Sequence, residues 1–172
     1  MADRFIKISP QDIGDNPFKA LDKDWMLVTA GSLKSYNTMT ASWGGFGVLW
    51  GKNIAICVIR PTRYTYGFME ESGTFTLSFF SDKYRKALSF CGSHSGKDYD
   101  KAKETGLTAV ETDNGSVYFS EARLVLECKK IYFDDINPEN FIDPEIDSHY
   151  PEKDYHRMYI GEIVNVYKKS GD

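Results

Sequence analysis

Most of the familiar functional signatures are missing from this 172-residue sequence. No G-x-G-x-x-G follows a strand-like run and no G-x-x-x-x-G-K-[ST] occurs, which excludes the common dinucleotide-binding and P-loop fingerprints. The nucleophile elbow G-x-S-x-G is absent as well. Histidine is scarce: His94, His149 and His156 are the whole set, and no pair has the i, i+4 spacing of a zinc enzyme. Cys57, Cys91 and Cys128 are odd in number and far apart, giving neither a disulfide framework nor metal-ligand spacing. Reduced, structural thiols in a cytoplasmic protein are the expectation. No stretch of 18 apolar residues exists, so no membrane-spanning helix is expected. Met1-Ala2-Asp3-Arg4-Phe5 lacks a basic segment running into an apolar one and does not read as a secretory signal. The net charge of −4 offers no basic footprint for nucleic acid.

What is present is a packed, aromatic-rich chain of a length that suits one domain over residues 1–172. Hydrophobic residues are 41% and aromatic residues 15% of the total, a composition that favours pleated, half-buried surfaces. Apolar and β-branched runs predict strands over 25–30, 38–43, 54–59, 74–80, 120–133 and 158–167. Pro61 ends the 54–59 run, because proline donates nothing to a sheet ladder. Helices are fewer: 63–72 with Thr62 as its cap, a second capped by Ser81 or Asp82 and running through Phe90, and a third over 99–104 that stops at Gly106. Strands outnumber helices, and no strand-then-long-helix unit repeats. The expected fold class is therefore mainly β, a barrel or sandwich with peripheral helices.

Three segments stand apart. Asn37-Thr38-Met39-Thr40-Ala41-Ser42-Trp43 sets hydrogen-bonding groups beside small side chains, which lets a planar ring such as a flavin lie close to a strand. An ordinary Thr/Ser-rich edge strand explains the same residues. Arg60-Pro61-Thr62-Arg63-Tyr64-Thr65 joins a strand end to a helix start, and its N–H groups, arginines and hydroxyls make a phosphate cradle. A capped helix with solvated arginines is the plainer alternative. Cys91-Gly92-Ser93-His94-Ser95-Gly96-Lys97 and the residues that follow form a tight loop with Lys97 and Lys101 in reach of an anion, or simply a surface turn.

Taken together, NTMTASWGGFGVLW (37–50), IRPTRYTYGFMEESGTFTLSFF (59–80), CGSHSGKDYDKAKETGL (91–107) and YHRMYIGEI (155–163) resemble the flavin reductase-like FMN-binding proteins, most closely their flavoredoxin-type branch. The resemblance implies an FMN-binding split β-barrel related to a Greek key, paired as a homodimer. By position, Asn37, Met39, Thr40, Ala41, Ser42 and Trp43 would line the ring and ribityl chain of FMN. Arg60, Thr62, Arg63, Tyr64 and Thr65 would approach the ribityl and phosphate end, and Ser78 and Phe79 match the strand that edges the ring. Lys101 and Lys97 would add positive charge. Lys97 stands where many relatives carry arginine, and a compact ammonium does not replace a bidentate guanidinium. His156 matches a histidine placed near the flavin, where it would meet an incoming nicotinamide and serve as a polar contact or proton donor.

The family implies one of two activities. One is an NAD(P)H-dependent flavin reductase, with NADH or NADPH as co-substrate. The other is a flavoredoxin-like electron carrier serving a protein partner. The acidic run at 134–154 would repel a dinucleotide, dock a basic partner, or merely be a solvated loop.

Overall fold

The computed structural model describes residues 5–170, so the opening residues 1–4, part of the expectation about export, lie outside the described residues. The described residues form ten strands: β1 (Phe5–Ile8), β2 (Met26–Ser32), β3 (Ser35–Ala41), β4 (Gly44–Leu49), β5 (Lys52–Ile59), β6 (Thr74–Phe79), β7 (Ala109–Glu111), β8 (Val117–Phe119), β9 (Leu124–Asp135) and β10 (Arg157–Lys169). The helices are α1 (Pro17–Lys19), α2 (Tyr64–Glu71), α3 (Arg85–Ser93) and α4 (Lys101–Thr105).

All strand pairs are antiparallel, in the order β3-β2-β6-β9-β10-β5-β4. The long β10 pairs with β9 on one side. On its other side it pairs with β5 through 157–162 and with β1 through 166–169. The two ends of this order, β3 and β4, are joined in the chain by Ser42 and Trp43 alone. The three Cα–Cα steps from Ala41 to Gly44 reach at most roughly 11 Å, so the sheet has to roll until its end strands meet. No ladder joins β3 to β4, and the product is a barrel left split along one seam.

Side-chain alternation explains why the strands read as apolar throughout. Met26, Val28 and Ala30 of β2 point into one cluster with Phe75, Leu77, Phe79, Leu126, Cys128 and Tyr159. Leu27 and Val125 point to the other face, where they pack with Leu88 and Cys91 of α3 and with Phe119. Each large side chain fully buried this way contributes about 1.5–3 kcal/mol. The three cysteines are free and buried. Burial pushes the Cys57 thiol up to about 12. Glu127 is also fully buried. It accepts hydrogen bonds from Thr112 Oγ1, Asn114 Nδ2, Asn165 Nδ2 and Tyr167 OH, which satisfies the carboxylate with neutral donors and pins the β7–β8 hairpin to the sheet.

Several boundaries differ from the sequence expectation. α2 is capped at Arg63 without a side-chain bond, so Thr62 is not its cap. Ser81 precedes a 3₁₀ turn and makes no capping bond, and α3 proper begins at Arg85. α4 begins after Asp100, whose side chain accepts from the Lys103 N–H, and ends at left-handed Gly106 as expected. β4 was not anticipated, because its three glycines in four residues read as a break. Gly44 has φ +152° and pairs with Cys57; a Cβ there would lie 2.1 Å from the Ile56 carbonyl oxygen. Gly44→Ala is therefore expected to destabilise the protein by about 1–3 kcal/mol, read as a lower denaturation midpoint. An unchanged midpoint would contradict the described corner.

Candidate functional site

The seam of the barrel opens into a cleft of about 220 Å³ lined by Met39, Thr40, Ala41, Ser42 and Trp43, and closed by Val58, Arg60, Arg63 and His156. Small side chains at Ala41 and Ser42 leave space against the backbone. Trp43 supplies a flat wall that is 45% exposed and so is open to a ligand. Its ring stands edge-on to His149 at 5.4 Å and tilted against His156 at 5.3 Å. The Thr40 hydroxyl is already committed to the Leu88 carbonyl, so it helps shape the wall but is not a spare donor.

A second cleft, about 270 Å³, is lined by Thr62, Arg63, Tyr64, Thr65, Lys101 and the loop 92–95. Arg63 lines both clefts, so they meet at its side chain. The second cleft has the chemistry of an anion site. Its wall at Tyr64 and Thr65 is the start of α2, where unpaired N–H groups and the helix dipole favour negative charge. Arg63 also donates to the Gly92 carbonyl at 3.1 Å, clamping the loop. That loop packs directly on β3: a Cβ on Gly96 would lie 1.8 Å from Asn37 Oδ1.

Lys101 is buried, and its Nζ donates to the carbonyls of Thr38 and Cys91, both at 2.8 Å. An ammonium has three donors, which leaves one for a ligand. Burial, reinforced by the charge of Arg63 and opposed by Cys91, brings its pKa down to about 8. Burial and the neighbouring Arg60 likewise lower the pKa of Arg63.

Arg60 faces the other way. It donates to Asp154 at 2.6 Å and to the His149 carbonyl at 2.8 Å, and its guanidinium lies 4.9 Å from the centre of the Tyr150 ring. Thr62 Oγ1 reaches Asp154 at 3.4 Å. These contacts draw the 134–154 segment onto the ring cleft. The segment is not a uniform anionic face: Asp135 is paired with Arg157, Asp147 with Lys153 and Tyr155, and Asp154 with Arg60.

Of the residues expected at the site, Met39, Thr40, Ala41, Ser42, Trp43, Arg60 and His156 come together at the first cleft, and Thr62, Tyr64, Thr65 and Lys101 at the second. Arg63 serves both. Asn37 is buried and donates to Thr65 Oγ1 at 2.8 Å, which makes it a support rather than a wall of either cleft. Ser78 and Phe79 line neither cleft: both are fully buried in β6 between β2 and β9, and Phe79 packs edge-on to Phe46 at 5.8 Å. Lys97 is exposed and lines neither cleft. Ser93, His94 and Ser95 were missed as individual residues, although the Gly/Ser-rich loop that carries them was singled out. Val58 was missed because it reads only as strand.

His156 is buried, and its Nδ1 is 2.7 Å from the Tyr150 hydroxyl. Burial holds its pKa down to about 4; Arg60 adds to the effect and Asp154 opposes it. Burial thus favours the neutral imidazole at physiological pH. Since the ordinary value is about 6.5, the unfolded chain takes up a proton between about pH 6.5 and 4 that the folded chain refuses. This contribution to stability is complete above about pH 6.5 and is lost as pH falls toward 4. An NMR titration of the His156 ring is expected to show a midpoint near 4, whereas an ordinary midpoint near 6.5 contradicts the burial.

Among the described residues, no helix is long and apolar enough to cross a membrane. The sequence profile of the flavin reductase like domain matches residues 19–172. Among curated protein sequences, none matches the chain. The fold is similar to that of a solved FMN-binding domain of a flavin reductase-like enzyme from Shewanella baltica, with TM-score 0.70, 18% identity, and coverage of 98% of this chain and 78% of that one. It is also similar to the flavoredoxin of Desulfovibrio vulgaris, with TM-score 0.68, 26% identity, and coverage of 96% and 78%. A third similar structure is an NADH:FAD oxidoreductase of Streptomyces globisporus in complex with NAD and FAD fragments, with TM-score 0.63, 18% identity, and coverage of 94% and 85%. With the profile spanning most of its length, the chain belongs to the flavin reductase-like domain family.

Proposed function

We propose that the protein is an FMN-binding flavoprotein that acts as an NAD(P)H-dependent flavin reductase. The observation that carries this reading is the meeting of two unlike clefts at Arg63. One is walled by small residues and Trp43 and suits an uncharged ring. The other gathers Arg63, Lys101, hydroxyls and a helix start, and suits a phosphate. That donor set fits FMN, with Met39, Thr40, Ala41, Ser42 and Trp43 beside the ring and Arg63, Thr65 and Lys101 toward the phosphate. Bound FMN would supply the hydride and electron chemistry, which is the cofactor's own. The chain's part is to hold the ring against β3, to leave Trp43 and the open face accessible, and to offer His156 as a neutral polar contact. The similarity to an NADH:FAD oxidoreductase supports direct use of a nicotinamide.

A flavoredoxin-like electron carrier is the second reading, supported by the 26% identity to a flavoredoxin. Anaerobic absorbance of the FMN-loaded protein separates the two. Rapid bleaching on adding NADH or NADPH is expected for the reductase. Colour that persists until dithionite or a reduced protein is added favours the carrier, and failure to take up FMN overturns both.

The reading also takes the protein as a homodimer. Val48, Trp50 and Tyr132 are 72, 60 and 41% exposed, and Trp50 leans on Tyr132 at 5.8 Å beside the end of β4. Such an apolar surface fits burial against a second copy. Sedimentation equilibrium is expected to give a dimer that Trp50→Glu weakens, and a monomeric parent protein would refute this part.

A further inference from the structure

We infer that Tyr150 is a positioning residue: it fixes His156 with its hydrogen on Nε2, so that the ring cleft presents a neutral N–H to a carbonyl oxygen of its ligand. Tyr150 comes from the 134–154 segment, outside the stretches that carry the family resemblance. Its side chain is buried, and its hydroxyl lies 2.7 Å from His156 Nδ1, the one side-chain group within hydrogen-bond reach of it among the described residues.

The direction of that bond follows from hydrogen counting. Burial raises the pKa of the phenol, so it keeps its proton. A neutral imidazole has one N–H, on either nitrogen. Were it on Nδ1, the Tyr150 O–H would be a buried donor with no acceptor, at a cost of about 1–3 kcal/mol. With Nδ1 accepting from the hydroxyl, both groups are satisfied and the hydrogen sits on Nε2.

Among the described residues, Nε2 makes no hydrogen bond of its own. The only fully buried side-chain polar atom without a partner among the described residues is Ser78 Oγ, so Nε2 is not sealed in the interior. His156 lines the ring cleft, and that is where the N–H is available. The ligand atom that meets it has to be an acceptor. This part of the inference rests on the proposed function, which offers two carbonyl sources, the dioxopyrimidine edge of the flavin and the carboxamide of a nicotinamide.

Tyr150 is itself held in place. Arg60 lies over its ring, Phe141 stacks on it at 6.2 Å, and Tyr155 packs at 4.8 Å. The charged groups facing this pair are Arg60 and Asp154, which pair with each other, and Arg63 across the cleft.

Tyr150→Phe keeps the ring and removes only the donor. In the ¹⁵N-histidine-labelled full-length protein at neutral pH, long-range ¹H–¹⁵N correlations are expected to show the hydrogen of His156 on Nε2, and a mixture of forms in Tyr150→Phe. A hydrogen on Nδ1 in the parent protein, or an unchanged pattern in the variant, overturns the assignment. Two further readouts locate the carbonyl. A rise of about two- to tenfold in the Kd for FMN, the scale of one neutral hydrogen bond, places it on the flavin. An unchanged Kd with a similar rise in KM for NADH at constant kcat places it on the nicotinamide. If neither moves, the carbonyl contact is refuted. Failure of the parent protein to bind FMN sinks the flavin reading alone, because the tautomer is measured without ligand.

Discussion

The two-residue link between β3 and β4 is the constraint on which the rest of the structure depends. Seven strands pair side by side, yet the first and last in that order are joined by Ser42 and Trp43 only. Rolling is then obligatory, and the seam cannot zip up, because Trp43 and the Gly44 corner turn the chain away from β3. A closed ladder would have buried backbone against backbone along this line. The split leaves side chains and open space there instead, and the β5–α2 turn, the loop after α3 and the start of β10 all converge on it.

Charge is distributed along this seam in a graded way. At one end, His156 is kept neutral by burial, and Arg60 is neutralised by Asp154. At the other, Lys101 is held as a buried ammonium by two backbone carbonyls, and Arg63 by one. Carbonyl dipoles orient these cations without cancelling their charge, so the cleft around them remains attractive to an anion. The acidic segment does not undo this, since three of its carboxylates are paired with arginine or lysine and one of those pairs forms the lid contact over the ring cleft.

Much of the core was legible in the sequence, because unbroken apolar runs such as 54–59 have few other uses. The turn from Arg60 to Thr65 was only half legible: the residue types fit either a phosphate cradle or a capped helix, and Arg60 turns out to pair with Asp154 away from the second cleft. β4 was hidden by Gly44, Gly45 and Gly47, which signal a break when seen alone and become a strand only because β5 lies alongside. Ser78 and Phe79 were assigned to the ring by positional analogy, yet they sit mid-sheet with strands on both sides. Lys97 and Lys101 look alike in sequence; only the packing of α4 buries one and leaves the other in solvent. Tyr150 carried no local signal, because its role depends on Arg60 drawing a distant segment across the cleft.

The central claim is that Arg63 stands between a ring site and a phosphate site. The most direct measurement is the affinity of the protein and of Arg63→Ala for FMN and for riboflavin, which differ only by the phosphate. The account predicts that FMN binds more tightly than riboflavin and that Arg63→Ala costs FMN about ten- to a hundredfold, the scale of a hydrogen bond to a charged group, while riboflavin changes far less. Equal losses for both ligands, or no preference for FMN in the parent protein, would contradict it.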